Sequence, residues 1–403
     1  MFLSRTCYAL ALVLAASHGI GYSWTPTDLT HSSGATGTVG ALTSYSVQNT
    51  EHVVYLDRDH ACVTGPNNQS VAPCGHIVEI FNNGSDHNWY AHDLTLSASA
   101  RGAAIDSTLT SYTIGTSQHV IYVDLDGHVV ELYNAGSEPD WHRRNLTASA
   151  GAPVVSAPLL SSFVVGSTEH VICFAAGHVY ELFNNGYDPV WHAHDLTASA
   201  EAPAPRTDSL TSYAAGASQH VIFIDSRPGT VGGHVWELYN DGSETAWHPH
   251  DLTASAGDNG LASSKFGGLA SFTVGTSQHV IYKECAYYSC DFGTTTLHEL
   301  YNSGAEPNWH TADLKVSWDA PVTAFWFKQR IQAVAAGVLL GDRDVWEYSI
   351  TLGGGQQSNV KINSAAGTPK AFGFGWPLTT YITAGSQHIV YVDSAGHIQN
   401  LSN

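Results

Sequence analysis

The chain has 403 residues, 43% of them hydrophobic, and sets 15 Lys and Arg against 35 Asp and Glu for a formal net charge of -20. That balance repels phosphate backbones and anionic lipid surfaces, so nucleic acid is excluded as the expected partner. Only 12% of residues are charged while 23 are His, so solubility rests on hydroxyls and amides, and mild acid would change the net charge considerably.

Residues 1–19 read as a secretory signal peptide. Arg5 precedes an apolar run from Cys7 to Ala16, and Ala15, Ser17 and Gly19 suit a signal peptidase. No later segment is long and apolar enough to span a bilayer, so a secreted, extracellular protein is expected. Next, Trp24 to Thr30 forms the word Trp-x-x-x-(Asp/Asn)-Leu-Thr, standing alone before any repeat core.

From there one unit recurs. It is registered on (Gln/Glu)-His-(Val/Ile) at His52, His119, His170, His220, His279 and His388, with a spacing of roughly fifty to sixty residues that points to propeller blades or solenoid turns. Gln329-Arg330-Ile331, followed by Val345-Trp346-Glu347-Tyr348, fills the one gap as a degenerate copy. Within the second unit, Leu109–Thr113, His119–Val123, His128–Tyr133 and Trp141–Thr147 are β-branched or aromatic runs separated by turn residues, which is strand chemistry. No window keeps a helical period.

The expected fold is therefore all-β: a seven-bladed β-propeller of four-stranded antiparallel blades. The units fall at about 42–98, 109–149, 159–199, 210–256, 269–318, 322–365 and 379–403, forming one domain over 23–403. The last core has no Trp word after it, so the N-terminal strand, within 23–33, is expected to join the C-terminal blade and close the ring.

Cys62 and Cys74 lie in the long second-to-third-strand hairpin of the first unit, and Cys285 and Cys290 in that of the fifth. Each pair is expected to form a disulfide, whereas Cys173 replaces a strand Tyr or Phe and reads as a buried thiol. Asn68, Asn83, Asn145 and Asn400 satisfy the glycosylation rule.

The repeated polar residues are the candidates for chemistry. His52/Glu79, His119/Glu131, His170/Glu181, His220/Glu237 and His279/Glu299 keep one relation across hairpins of different length. Adjacent antiparallel strands would place each pair within reach of one another or of a common ligand. Trp89, Trp141, Trp191, Trp247 and Trp309 follow each Glu by about ten residues. A carboxylate, an imidazole and an indole near one groove suit a sugar, and they equally suit a blade in which His and Glu satisfy each other and Trp fills the core. A second series, His76, His128, His178, His234 and His397, reads as structural. The pairs His192/His194 and His248/His250 alternate onto one strand face, but no third ligand is evident. No metal or cofactor is assigned.

The order of a strand-two basic residue, a short hairpin, Gly-x-x-x-Glu and a following Trp resembles the fucose-binding lectins of the orange-peel mushroom type. These are β-propellers with sugar sites between blades. The resemblance implies sugar contacts from Glu79, Glu131, Glu181, Glu237, Glu299 and Glu347, with aromatic packing on the sugar. Its departures are seven units in place of six and His in place of Arg at every position except Arg330. Gln357 replaces the sixth Trp, and Gln399 stands for the closing Glu. The implied function is a secreted, multivalent, non-catalytic lectin for fucose or a related sugar, with glycans or glycoproteins as partners. A sialidase-like glycan-cleaving propeller and a protein-interaction scaffold are the alternatives. The scarcity of Arg and the absence of Asp-box words argue against the enzyme.

Overall fold

The computed structural model describes residues 23–403 apart from 36, 38, 65–69, 85–87, 137–139, 187–189, 228–231, 243–245, 259–260, 264–267, 286–294, 305–307, 318–321, 329, 340–341, 351–356, 372–376 and 384. The expected signal peptide, 1–19, lies outside these.

Strand formation follows local chemistry. In the second blade Ser117–Val123 is dominated by residues that suit a pleated surface, and the turn feeding it is made by Gly115 at φ 60°, a conformation costly for other residues. Repeated along the chain, this produces seven antiparallel sheets, five of them in sequential strand order. Six have four strands. The fifth has six, because its second strand, Ser277–Cys285, outruns the first, Leu269–Val274. The free length pairs with Leu261–Ser263, which in turn pairs with Gly232–Gly233.

The seventh sheet combines both ends of the chain. Thr25–Asp28 lies antiparallel to Ile398–Ser402, with Thr25 opposite Ser402 and Asp28 opposite Gln399, next to Ser386–Val392 and Leu378–Thr383. First strands of successive blades are stitched by hydroxyl pairs: Thr43 with Ser111, Thr110 with Ser162, Ser161 with Ser212 and Thr211 with Ser271, at 2.6–2.8 Å. Thr323 meets Thr380 at 3.3 Å, and Ser44 meets Thr379 at 2.8 Å across the seam between the seventh blade and the first.

The (Asp/Asn)-Leu-Thr word has a second use beyond the fourth strand. In blade two the strand ends at Asn145, and Leu146–Ala150 forms a single helical turn capped by the Asn145 carboxamide, which accepts from Ala148 N–H. Leu146 is fully buried, and the Thr147 hydroxyl accepts the Val129 N–H at 2.8 Å. Thr30, Thr95, Thr197 and Thr253 make the same bond, and Asn363 substitutes in blade six. Blade five has Lys315 in place of Thr, and its strand runs on through the word to Ser317.

Candidate functional site

Each second strand sets its His in a row of rings. Tyr112, His119, Tyr133 and His142 are direct partners on successive strands, with centroids 4.7, 6.3 and 5.3 Å apart. Blades one, three, four and five carry the same row, with Tyr or Phe on strands one and three.

The Glu stands two residues before the strand-three ring and therefore on the same face. Its Oε1 lies 2.7–2.8 Å from the His Nδ1 in His52/Glu79, His119/Glu131, His170/Glu181, His220/Glu237 and His279/Glu299. Tyr45, Tyr112 and Tyr213 donate their hydroxyls to the same carboxylates. These His are 1–7% exposed and these Glu 0–5%. Burial alone would raise the Glu237 carboxyl, but hydrogen bonds and charge from His220 and His250 outweigh it and hold it below its usual range. The five pairs thus lie inside the blade packing, each His Nδ1 on its Glu Oε1, while His170 Nε2 and His279 Nε2 are buried without a hydrogen-bond partner.

The Trp does not share that face with its own blade's pair. Trp141 packs with Tyr45, Val54 and Leu94 of blade one, Trp191 with Tyr112, Ile121 and Leu146 of blade two, and Trp247 and Trp309 repeat the relation. Each Trp therefore closes the groove against the preceding blade, and Trp141, Trp191, Trp247 and Trp309 are 1–5% exposed. Spacing along the chain missed this because Trp141 is one residue out of phase with His142, which points to the other face of the strand.

Register corrects two assignments. In blade six Phe325 faces Gln332 and Gln332 faces Ser349, so Gln332 holds the His position and Arg330, opposite Phe327, stands two residues nearer the turn. Glu347 keeps the Glu position but receives a 2.7 Å hydrogen bond from Gln387 of the seventh blade. In the closing blade Asn400, opposite Val390, takes the Glu position and lies 3.3 Å from His388 Nδ1. Gln399 turns to the other face and donates to Asp393.

Glu347 is 4% exposed and lacks an imidazole partner. Burial pushes its carboxyl up to about 7 despite the Gln387 bond. The folded state therefore retains a proton that the unfolded chain releases near its ordinary value. This contribution to stability is full below about pH 4.5 and is lost as pH rises to about 7. Glu347→Gln is expected to remove on the order of 2–3 kcal/mol of that decline, read from urea unfolding midpoints between about pH 5 and 8. An unchanged slope would contradict a proton held at Glu347.

Of the cysteines assigned to disulfides, Cys74 is fully buried; the side chains of Cys62 and Cys285, and all of Cys290, lie outside the described residues. Cys173 is a buried free thiol. Among the glycosylation words, Asn83 is exposed, Asn400 is 3% exposed and Asn145 caps its helix beside buried Thr147; Asn68 lies outside the described residues.

Among the described residues, the inter-blade groove at the seam is open. In the closing blade the row reads Tyr381, His388, Ser402, Thr25, with Ser and Thr where blades one to five place bulky rings. The missing volume appears as a cavity of about 500 Å³ lined by Thr27, Ser32, Asn49, Glu51, Asn82, Gly84, Asn88, Trp89, His388, Asn400 and Ser402. Trp89 is half-buried, unlike its four counterparts. Glu51, which replaces the Gln found before most repeated His, lies 3.6 Å from His388 Nε2 and accepts from Tyr381 at 3.3 Å. Burial lowers the His388 imidazole below its usual value, against the opposing pull of Glu51, which leaves it neutral at pH 7 with one donor and one acceptor. Sequence reasoning passed over Glu51 and Asn400. The available signal was Ser402 in a column that holds Tyr or Phe in blades one to five.

No known family profile matches the chain, and no curated protein matches it in sequence. Among solved structures it is similar to the polysaccharide lyase Uly1 at TM-score 0.54 and 10% identity, covering 90% of this chain and 89% of that one. It is similar to AofleA from Arthrobotrys oligospora at TM-score 0.50 and 13% identity, covering 84% and 90%. The Aleuria aurantia lectin bound to Fucα1-6GlcNAc aligns at TM-score 0.47 and 14% identity, covering 80% and 94%. These likenesses concern the propeller fold.

Proposed function

We propose that the chain is a secreted, non-catalytic carbohydrate-binding propeller whose sugar site is the seam cavity. The observation that carries this reading is the cavity's composition: a carboxylate, a neutral imidazole, four Asn and one half-buried indole around about 500 Å³. Directional polar groups hold hydroxyls while an aromatic face takes the C–H side of a ring, and the size falls in the range of small-ligand sites. With Glu51 in the lining, no Lys or Arg there and a net charge of -20, the ligand is a neutral sugar, fucose or a relative, and not a sialic acid. The other interfaces with buried His/Glu pairs serve the packing, so the valency is one open site per chain rather than five. Disulfides Cys62–Cys74 and Cys285–Cys290, and a glycan on Asn83, belong to the same reading of a secreted protein.

On a glycan array the full chain is expected to show binding that a free neutral monosaccharide inhibits. Trp89→Ala and Glu51→Gln are each expected to weaken it at least about tenfold without loss of fold. Silence of the folded protein on a broad array would count against the site, and release of reducing sugar would replace it with an enzyme.

A further inference from the structure

We propose that the first blade carries a binding site for a divalent transition ion of the zinc type, with His60, His76 and Asp93 as ligands and Asp57 orienting the His60 ring. The site is separate from the seam cavity.

Most blades hold the second-series His on the Asp that caps the short helix: His76 Nδ1 on Asp93, His178 on Asp195 and His234 on Asp251 at 2.7 Å, and His397 on Asp28 at 2.9 Å. That pair alone is part of the blade. Blade one adds to it through its longer hairpin, where the second strand runs on to Thr64 with a register shift between Asp57 and His60. The shift brings His60 face to face with His76, ring centroids 3.8 Å apart and planes within 4°. His60 Nε2 in turn lies 3.2 Å from Asp57 Oδ2.

Both imidazoles therefore have one nitrogen engaged by a carboxylate. Asp57 engages one nitrogen of His60, so that ring presents a lone pair on the other, the carboxylate–histidine arrangement that orients a metal ligand and raises its basicity. An ion entering between His76 Nδ1 and Asp93 Oδ2 takes the place of the proton they share. One ligand atom from each of His60, His76 and Asp93 already lies within 4.8 Å of the others. Around tetrahedral zinc such atoms stand about 3.3 Å apart, so a modest turn of the His60 ring closes the set. Asp57, His60 and Asp93 border a cavity of about 220 Å³ lined also by Tyr55 and His92, and His60 is half-exposed, which gives an ion an entry path. Two imidazoles with one or two carboxylates favour zinc-like ions over calcium or magnesium, which take oxygen ligands.

The test uses the full chain freed of metal with EDTA and titrated with ZnCl2 against a chromophoric chelator. One site is expected with Kd at or below about 1 µM. His60→Phe keeps a stacked ring but removes both nitrogens, and is expected to weaken that site at least about thirtyfold with the apo melting temperature unchanged. A variant with His192, His194, His248 and His250 all changed to Ala, which removes adventitious surface chelation, is expected to retain it. Zinc binding by His60→Phe equal to the parent, or loss of the site in the four-His variant alone, would overturn the assignment.

Discussion

His279→Leu is expected to lower the unfolding free energy by about 3–5 kcal/mol while leaving glycan binding at the seam intact. His279 is 1% exposed, lies against Phe272 with planes 1° apart, and holds Glu299 Oε1 at 2.7 Å. Leucine fills the volume but leaves the Glu299 carboxylate, itself 5% exposed, without the imidazole that offsets its lost hydration. Removing one partner of a buried pair costs more than removing both. The double variant His279→Leu/Glu299→Met is therefore expected to recover more than half the loss, giving a coupling of about 2 kcal/mol in a double-mutant cycle. Urea unfolding of the four proteins measures this directly. If the repeated pair were a sugar grip, the single variant would instead keep its stability and lose affinity; a stability change within about 0.5 kcal/mol would sink the structural role.

How far this could be read from the chain depended on what repetition preserves. Repetition preserves strand period and turn chemistry, so the seven blades and the role of Thr25–Asp28 in the closing sheet were legible from the spacing of the His and Trp words. It also preserves buried pairs such as His119/Glu131, and a structural contact and a ligand contact are copied alike, so repetition by itself does not separate the two readings. Which face a residue occupies is settled by one-residue phase, and there Trp141 and Gln399 were misplaced because loop lengths hide the register. The open cavity was informative in the opposite way. It arises where the ring row breaks, at Ser402 and Thr25. The His60 cluster likewise sits in the long hairpin of blade one, where the corresponding hairpin of blade five carries a different sequence, so comparison among units offered it no signal.

The largest effect is expected from removing residues 23–33. This one segment ties three blades. Trp24, 7% exposed, packs with Val334, Val345 and Ile362 of blade six, while Leu29, fully buried, packs with Val53 and Ile80 of blade one. Between them Thr25–Asp28 supplies the fourth strand of blade seven, Asp28 Oδ2 holds His397 Nδ1 at 2.9 Å, and Thr30 accepts the Ile398 N–H at 2.8 Å. Truncating a buried Trp or Leu alone costs about 2–5 kcal/mol, and the deletion also exposes the edge of Ile398–Ser402. The combined loss approaches the whole stability of an ordinary domain, so the truncated chain is expected to lose its cooperative thermal transition and, with Thr27 and Ser32 gone from the cavity wall, its glycan binding. Trp24→Ala separates the two effects. It should cost about 3–5 kcal/mol yet keep affinity under conditions where the protein remains folded, because the indole faces blade six and not the cavity. A circular permutant that joins residue 403 to residue 23 and opens between blades one and two keeps the strand while moving the ends. Recovery of both the transition and the binding in that permutant would assign the loss to the missing strand; a truncated chain that melts as the parent does would show that the ring does not depend on it.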